Sequence, residues 1–176
     1  MNKKRSLISQ LSALSIAVGL LLSPIAPANS ATKASFTTNK TKLTFTAKTV
    51  DGKNYSSRVL VNMKPTVIWF WAPWCAICKN ESAYIVAAAK KYKGKVNFVG
   101  IGALGSTEEM VDFVTHTETS IFPNLNDAEG KLWNRFGIVI QPTMLFIDAK
   151  GKITSKIGPS DEEFLAKKLV TLTKKK

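Results

Sequence analysis

The residues able to do covalent chemistry sit together. Cys75 and Cys78 are the only cysteines in 176 residues, three positions apart in the stretch Phe70-Trp71-Ala72-Pro73-Trp74-Cys75-Ala76-Ile77-Cys78-Lys79-Asn80-Glu81. Such a pair can be a staple, half of a metal site or a working disulfide. As a staple it closes a very short loop and adds little entropic stability. A fold of roughly 148 residues also buries an adequate core without one. A structural zinc site needs four N or S ligands. The only histidine, His116, lies about 40 residues further on. Lys79 follows Cys78, so the C-x-x-C-H haem-attachment pattern is absent. A copper site of two thiolates with ligands from outside the chain stays open, as does a non-catalytic adaptor role.

The flanking elements favour redox chemistry. Thr66 to Trp71 (TVIWFW) is continuously apolar, as expected of a strand buried on both faces. Pro73 and Trp74 end it, and a helical pattern begins near Cys75, with Ile77, Tyr84, Ile85, Ala88 and Tyr92 on one face and Gly94 closing it. Cys75 thus falls at a helix N-terminus, where unpaired backbone N–H groups stabilise a thiolate. A three-residue offset across the first turn brings the two sulfurs within bonding distance. The expectation is an exposed nucleophile at Cys75 and a shielded resolving thiol at Cys78, exchanging through a mixed disulfide.

The remaining elements complete a scaffold. Leu43 to Thr49 alternates, Asp51-Gly52 signals a hairpin, and a second strand follows around Tyr55. Val96 to Ile101 is another buried strand, so strand, helix and strand make a right-handed βαβ unit with parallel strands. Ser106 and Glu109 form a capping box for a helix to about Thr117. A short helix over Asp127 to Phe136 stops at Gly137. Strands at Met144–Asp148 and Ile153–Ile157 turn through Gly151. Ser160 and Glu163 suggest a second capping box before a helix over 161–173. Trp69, Phe70 and Trp71 read as core, Trp133 as core or groove, and His116 as a surface residue near a helix end. The fold class is α/β: a central mixed sheet flanked by helices, with an N-terminal β-hairpin extension.

The first 28 residues differ from the rest. Lys3, Lys4 and Arg5 precede an apolar run from Leu11 to Leu22, then Ala26-Pro27-Ala28, the make-up of a secretory signal peptide. The run is short for a spanning helix, and no cysteine follows it to carry a lipid. The expected organisation is a signal peptide over 1–28, a linker over 29–40 and one domain over 41–176. Without the signal, 22 Lys and Arg stand against 12 Asp and Glu. The lysines are scattered and an exported chain rarely meets DNA, so no nucleic-acid partner is expected. Peripheral attraction to an anionic membrane surface fits the charge better. Outside the cytoplasm thiols are not kept reduced, so the cysteine pair is expected to oxidise.

W-C-x-x-C after an apolar strand, with a proline ahead of a later strand, resembles the thioredoxin superfamily. The preceding hairpin, the signal and C-x-x-C-x-x-E resemble its extracytoplasmic TlpA/DsbE-like branch. Phe70-Trp71-Ala72-Pro73-Trp74-Cys75, Asn124-Leu125-Asn126-Asp127-Ala128 and Gln141-Pro142 are similar to secreted DsbE-like proteins of Gram-positive bacteria. The likeness spans residues 36–173.

The resemblance implies a thiol–disulfide oxidoreductase with Cys75 and Cys78 catalytic and disulfide-linked. It implies that Pro142 is a cis-proline facing them, with Gln141 offering backbone hydrogen bonds to an extended substrate. It further implies that Glu81 shuttles a proton for Cys78 and that Trp74 shapes the docking surface. No cofactor or metal is implied. The implied partners are exported cysteine-containing proteins and a membrane redox partner, either a quinone-linked oxidase or a CcdA-like reductant. Oxidation of exported proteins is the expected direction; the alternative is reduction in cytochrome c maturation. The chain departs from the pattern at Ile77 and Ala83, where many relatives have proline, and at Trp69, where cytosolic thioredoxins have a buried aspartate.

Overall fold

The computed structural model describes residues 41–60 and 64–174. The proposed signal peptide and linker lie outside them. Among the described residues the strands and longer helices follow in the order β1 (Thr46–Lys48), β2 (Asn54–Ser56), β3 (Thr66–Trp71), α1 (Ala76–Lys91), β4 (Asn97–Gly102), α2 (Thr107–His116), β5 (Asn124–Asn126), α3 (Lys131–Phe136), β6 (Thr143–Ile147), β7 (Ile153–Ile157) and α4 (Glu162–Thr173). The architecture is the thioredoxin-like α/β fold. Its central sheet has the order β5-β4-β3-β6-β7, and β1 and β2 form the separate N-terminal hairpin.

β3 pairs in parallel with β4 and antiparallel with β6, so the sheet is mixed about its central strand. All six residues of β3 are buried, because the sheet is covered on both faces. Alternation divides them. Val67, Trp69 and Trp71 face a cluster with Ile85, Phe113 and Leu169, while Ile68 and Phe70 face one with Leu125, Trp133 and Phe136. Trp71 stacks on Phe113 with centroids 4.3 Å apart, and Phe70 meets Trp133 edge-on. Trp133 is therefore core, with its indole N–H donating to the Ile101 carbonyl. His116 ends α2 at the surface.

Several local expectations are corrected. The buried face of α1 runs through Cys78, Glu81, Ser82, Ile85 and Val86, whereas Ile77 is exposed. Ile85 is in the core with Tyr84, Ala88 and Tyr92 packed against it, as the spacing indicates; only Ile77 is misassigned, and the spacing does not include the buried Glu81. The last helix is capped by Asp161, whose side chain accepts from Phe164 N–H, not by Ser160. The Ser160 N–H is drawn inward to Glu81 instead. The short third helix begins at Lys131, and the residues before it include an edge strand, β5, absent from the sequence reading. The capping box at Ser106 and Glu109 is present as expected.

Candidate active site

The site forms where β3 hands the chain to α1. Cys75 is the N-cap of α1, and its Sγ accepts the N–H of Cys78 at 3.1 Å. The two are joined as a disulfide with Cα atoms 5.2 Å apart. Cys75 keeps 6% of its surface and Cys78 none. The expected asymmetry holds in sense, but Cys75 is far less open than the sequence reading had it. A residue seated at the junction of a buried strand and a helix end is hemmed in by both.

The register brings Thr143 opposite Phe70, so Gln141 and Pro142 arrive at the same end of the sheet as Cys75. The Gln141–Pro142 peptide bond is cis. The Pro142 carbonyl accepts Gly158 N–H, while no backbone hydrogen bond among the described residues uses Gln141. Trp74 stands 61% exposed, and its indole N–H donates to the Leu104 carbonyl at 2.6 Å. That bond ties the residue before the disulfide to the loop after β4, where Leu104 has a left-handed φ of 60°. A groove of about 360 Å³ opens beside it, lined by Pro73, Trp74, Lys79, Asp112, Phe113 and His116 among others.

Glu81 lies one turn beyond Cys78 on the same helix face and is only 2% exposed. Its Oε1 accepts the Ser160 N–H at 2.7 Å, and the Tyr84 and Ser160 hydroxyls are 3.0 Å apart. Its Oε2 has no hydrogen-bond partner, nor has the indole N–H of Trp69. Burial pushes the Glu81 carboxyl above the usual carboxylate range, against the opposing pull of Ser160, Tyr84, Trp69 and Lys156. Burial also pushes the Tyr84 hydroxyl up. Sequence reasoning found Glu81 but missed Ser160 and Tyr84. Tyr84 stands three residues on along the same helix, a spacing visible in the sequence, whereas Ser160 comes from a distant loop that no local signal links to Glu81. Among the described residues, no group of three or more His, Cys, Asp and Glu could hold a metal ion.

A disulfide at a helix N-terminus, with a cis-proline at the same end of a five-stranded mixed sheet, defines a thioredoxin-like thiol–disulfide oxidoreductase of the DsbE/StoA type. Residues 39–156 match the AhpC/TSA family, and the chain belongs to it. Among its relatives is the soluble secreted antigen MPT53 of Mycobacterium tuberculosis, 38% identical over 121 residues, covering 68% of this chain and 67% of that one. A secreted M. tuberculosis disulfide oxidoreductase homologous to E. coli DsbE superposes with a TM-score of 0.70 at 32% identity, covering 75% and 98%. StoA from Bacillus subtilis superposes at 0.60 with 26% identity, covering 71% and 95%.

Proposed function

We propose that this chain is exported and introduces disulfides into exported proteins. Residues 1–28 act as the export signal, 29–40 as a linker and 41–176 as the catalytic domain. The observation that carries the direction is the placement of Cys75 Sγ at the start of α1, receiving the Cys78 N–H. On reduction those amides stabilise a thiolate at Cys75. A stabilised reduced form makes the disulfide a better oxidant. The relatives described as secreted support the compartment.

A thiolate of the substrate attacks Cys75 Sγ, and Cys78 leaves as a thiolate. Glu81, whose carboxyl burial shifts towards the protonated form, passes a proton to Cys78. A second substrate thiolate then attacks the mixed disulfide and Cys75 leaves. The substrate dithiol has become a disulfide and the enzyme a dithiol, to be reoxidised by a quinone-linked membrane oxidase. The substrate lies extended along Gln141, whose backbone is free to pair with it, and against Trp74.

The reduction potential tests the direction. An oxidase should sit well above thioredoxin's value of about −270 mV and towards DsbA's of about −120 mV; a value at or below thioredoxin's assigns the reductase role and a CcdA-like donor. Cys78→Ser should trap exported proteins on Cys75. A variant that traps nothing identifies a non-catalytic adaptor or a metal carrier.

A further inference from the structure

Seven exposed lysines of this domain gather at one end of the strand axis, while Lys79 and Lys156 stand towards the other. β3, β4 and β7 begin, and β6 ends, at the pole opposite the disulfide. α1, α2 and α4 each start at the disulfide pole and run back, because each follows a strand that ends there. The far pole therefore collects the C-terminal end of α1 with Lys90, Lys91, Lys93 and Lys95. It also holds the β6–β7 turn with Lys150 and Lys152, and the end of α4 with Lys174. All seven are exposed, and none forms an ion pair among the described residues. Among the described residues, Asp51 lies towards that end, ion-paired with Lys53 beside the close of α2, and two further acids share it. Asp148 is committed to the backbone of its own turn, accepting from Lys150 and Lys152 N–H, and Glu118 follows α2. Acids gather at the other pole, with Glu108 and Glu109 opening α2 and Asp161, Glu162 and Glu163 opening α4.

We propose that the lysine pole is a docking face for an anionic phospholipid bilayer, holding the disulfide pole outward towards exported chains. The inference rests on the extracytoplasmic reading above. Lysines near an anionic bilayer are attracted additively and within about a Debye length, roughly 8 Å at physiological salt. Acids at the opposite pole are repelled, so the charge pattern sets orientation as well as attraction. The contact is electrostatic and reversible, so it concentrates the enzyme where exported chains emerge without fixing it there.

The test is co-sedimentation of the full chain with vesicles of phosphatidylcholine alone or mixed with phosphatidylglycerol, read as the ratio of binding to anionic over neutral vesicles. Residues 1–40 are the same in every variant, so their own membrane affinity is common to all. Lys90→Gln/Lys91→Gln/Lys93→Gln should lower the ratio about tenfold or more. The charge-matched set Lys48→Gln/Lys131→Gln/Lys167→Gln should lower it far less. Added salt should abolish the preference, and reduced Cys75 should alkylate equally fast on and off vesicles. Equal loss in both sets would show that net charge, not this pole, is responsible, and would overturn the proposal. Protection of Cys75 by vesicles would overturn the orientation. Binding to soluble polyphosphate without binding to anionic vesicles would replace the lipid with an anionic polymer. Turnover of a small dithiol should be unchanged in both sets, so failure of docking and failure of the redox reading are separately visible.

Discussion

Glu81 and Ser160 are 79 positions apart in the chain, yet the Ser160 N–H donates to Glu81 Oε1 at 2.7 Å inside the protein. The bond joins the catalytic helix to the loop that leads into α4. That loop is in turn joined to the cis-proline, since Gly158 N–H donates to the Pro142 carbonyl. The buried carboxylate and the cis-proline therefore share a support, and changes at one should be felt at the other.

Stability should depend on pH through Glu81. Its folded pKa is raised by burial, so the folded chain holds this proton at a pH where the unfolded chain has released it. The stabilising contribution is complete below the ordinary carboxylate range and is lost as pH rises through the raised folded value. Glu81→Gln keeps an oxygen for Ser160 and cannot ionise. Its stability relative to the natural chain should increase with pH. Thermal melts across pH check this, and a constant difference would refute it.

Exchange should also slow in Glu81→Gln. Removing a positioned proton donor costs about 100-fold or more in the step it serves. The loss should appear in release of Cys78, with formation of the mixed disulfide at Cys75 affected little. Stopped-flow kinetics with a dithiol substrate separate the two steps.

Trp69 should tune that carboxyl. Its indole N–H favours the ionised form of Glu81 without reaching hydrogen-bond geometry. Trp69→Phe removes the donor and leaves an aromatic ring of smaller size. The pH at which the Glu81 contribution fades should move upward, and the pH–rate profile of exchange with it. An unshifted profile would show that the indole serves packing alone.

Trp74 should matter to substrates and little to the fold. It is largely exposed and held by a single hydrogen bond to the Leu104 carbonyl. Trp74→Ala should change stability by roughly 0.5–1.5 kcal/mol while raising KM for a peptide dithiol several-fold. Trp74→Phe, which keeps a ring but loses the bond, should fall between. A KM unchanged in both would remove Trp74 from the docking surface.

Gly100 should tolerate no side chain. A Cβ there would collide with the Asn124 Oδ1 and lie 2.8 Å from Trp71 Nε1, the pair whose buried hydrogen bond links β3 to β5. Gly100→Ala should cost about 1–3 kcal/mol from overpacking. Denaturant unfolding measures it, and a neutral result would mean that the Asn124 side chain can turn aside.

The chain's local patterns determined much by themselves. The unbroken apolar run in β3 could only be a strand covered on both faces. The Ser106–Glu109 box announced its helix, and the position of Cys75 at a strand–helix junction announced its chemistry. These signals are short-range, set by side-chain periodicity and by the unpaired amides at a helix end. What needed three dimensions was the partnering of groups far apart. A glutamate among exposed-looking helix residues gave no sign that it would be buried, because its support comes from Ser160 and its unfilled neighbour is Trp69 on the sheet. The three-residue edge strand Asn124–Asn126 is too short to show a period, and it exists because β4 has an edge to fill. The gathering of seven lysines at one pole is likewise invisible along the chain. It arises because α1 and α4 follow strands ending at the disulfide pole and carry their C-terminal ends to the opposite one, where the β6–β7 turn also lies.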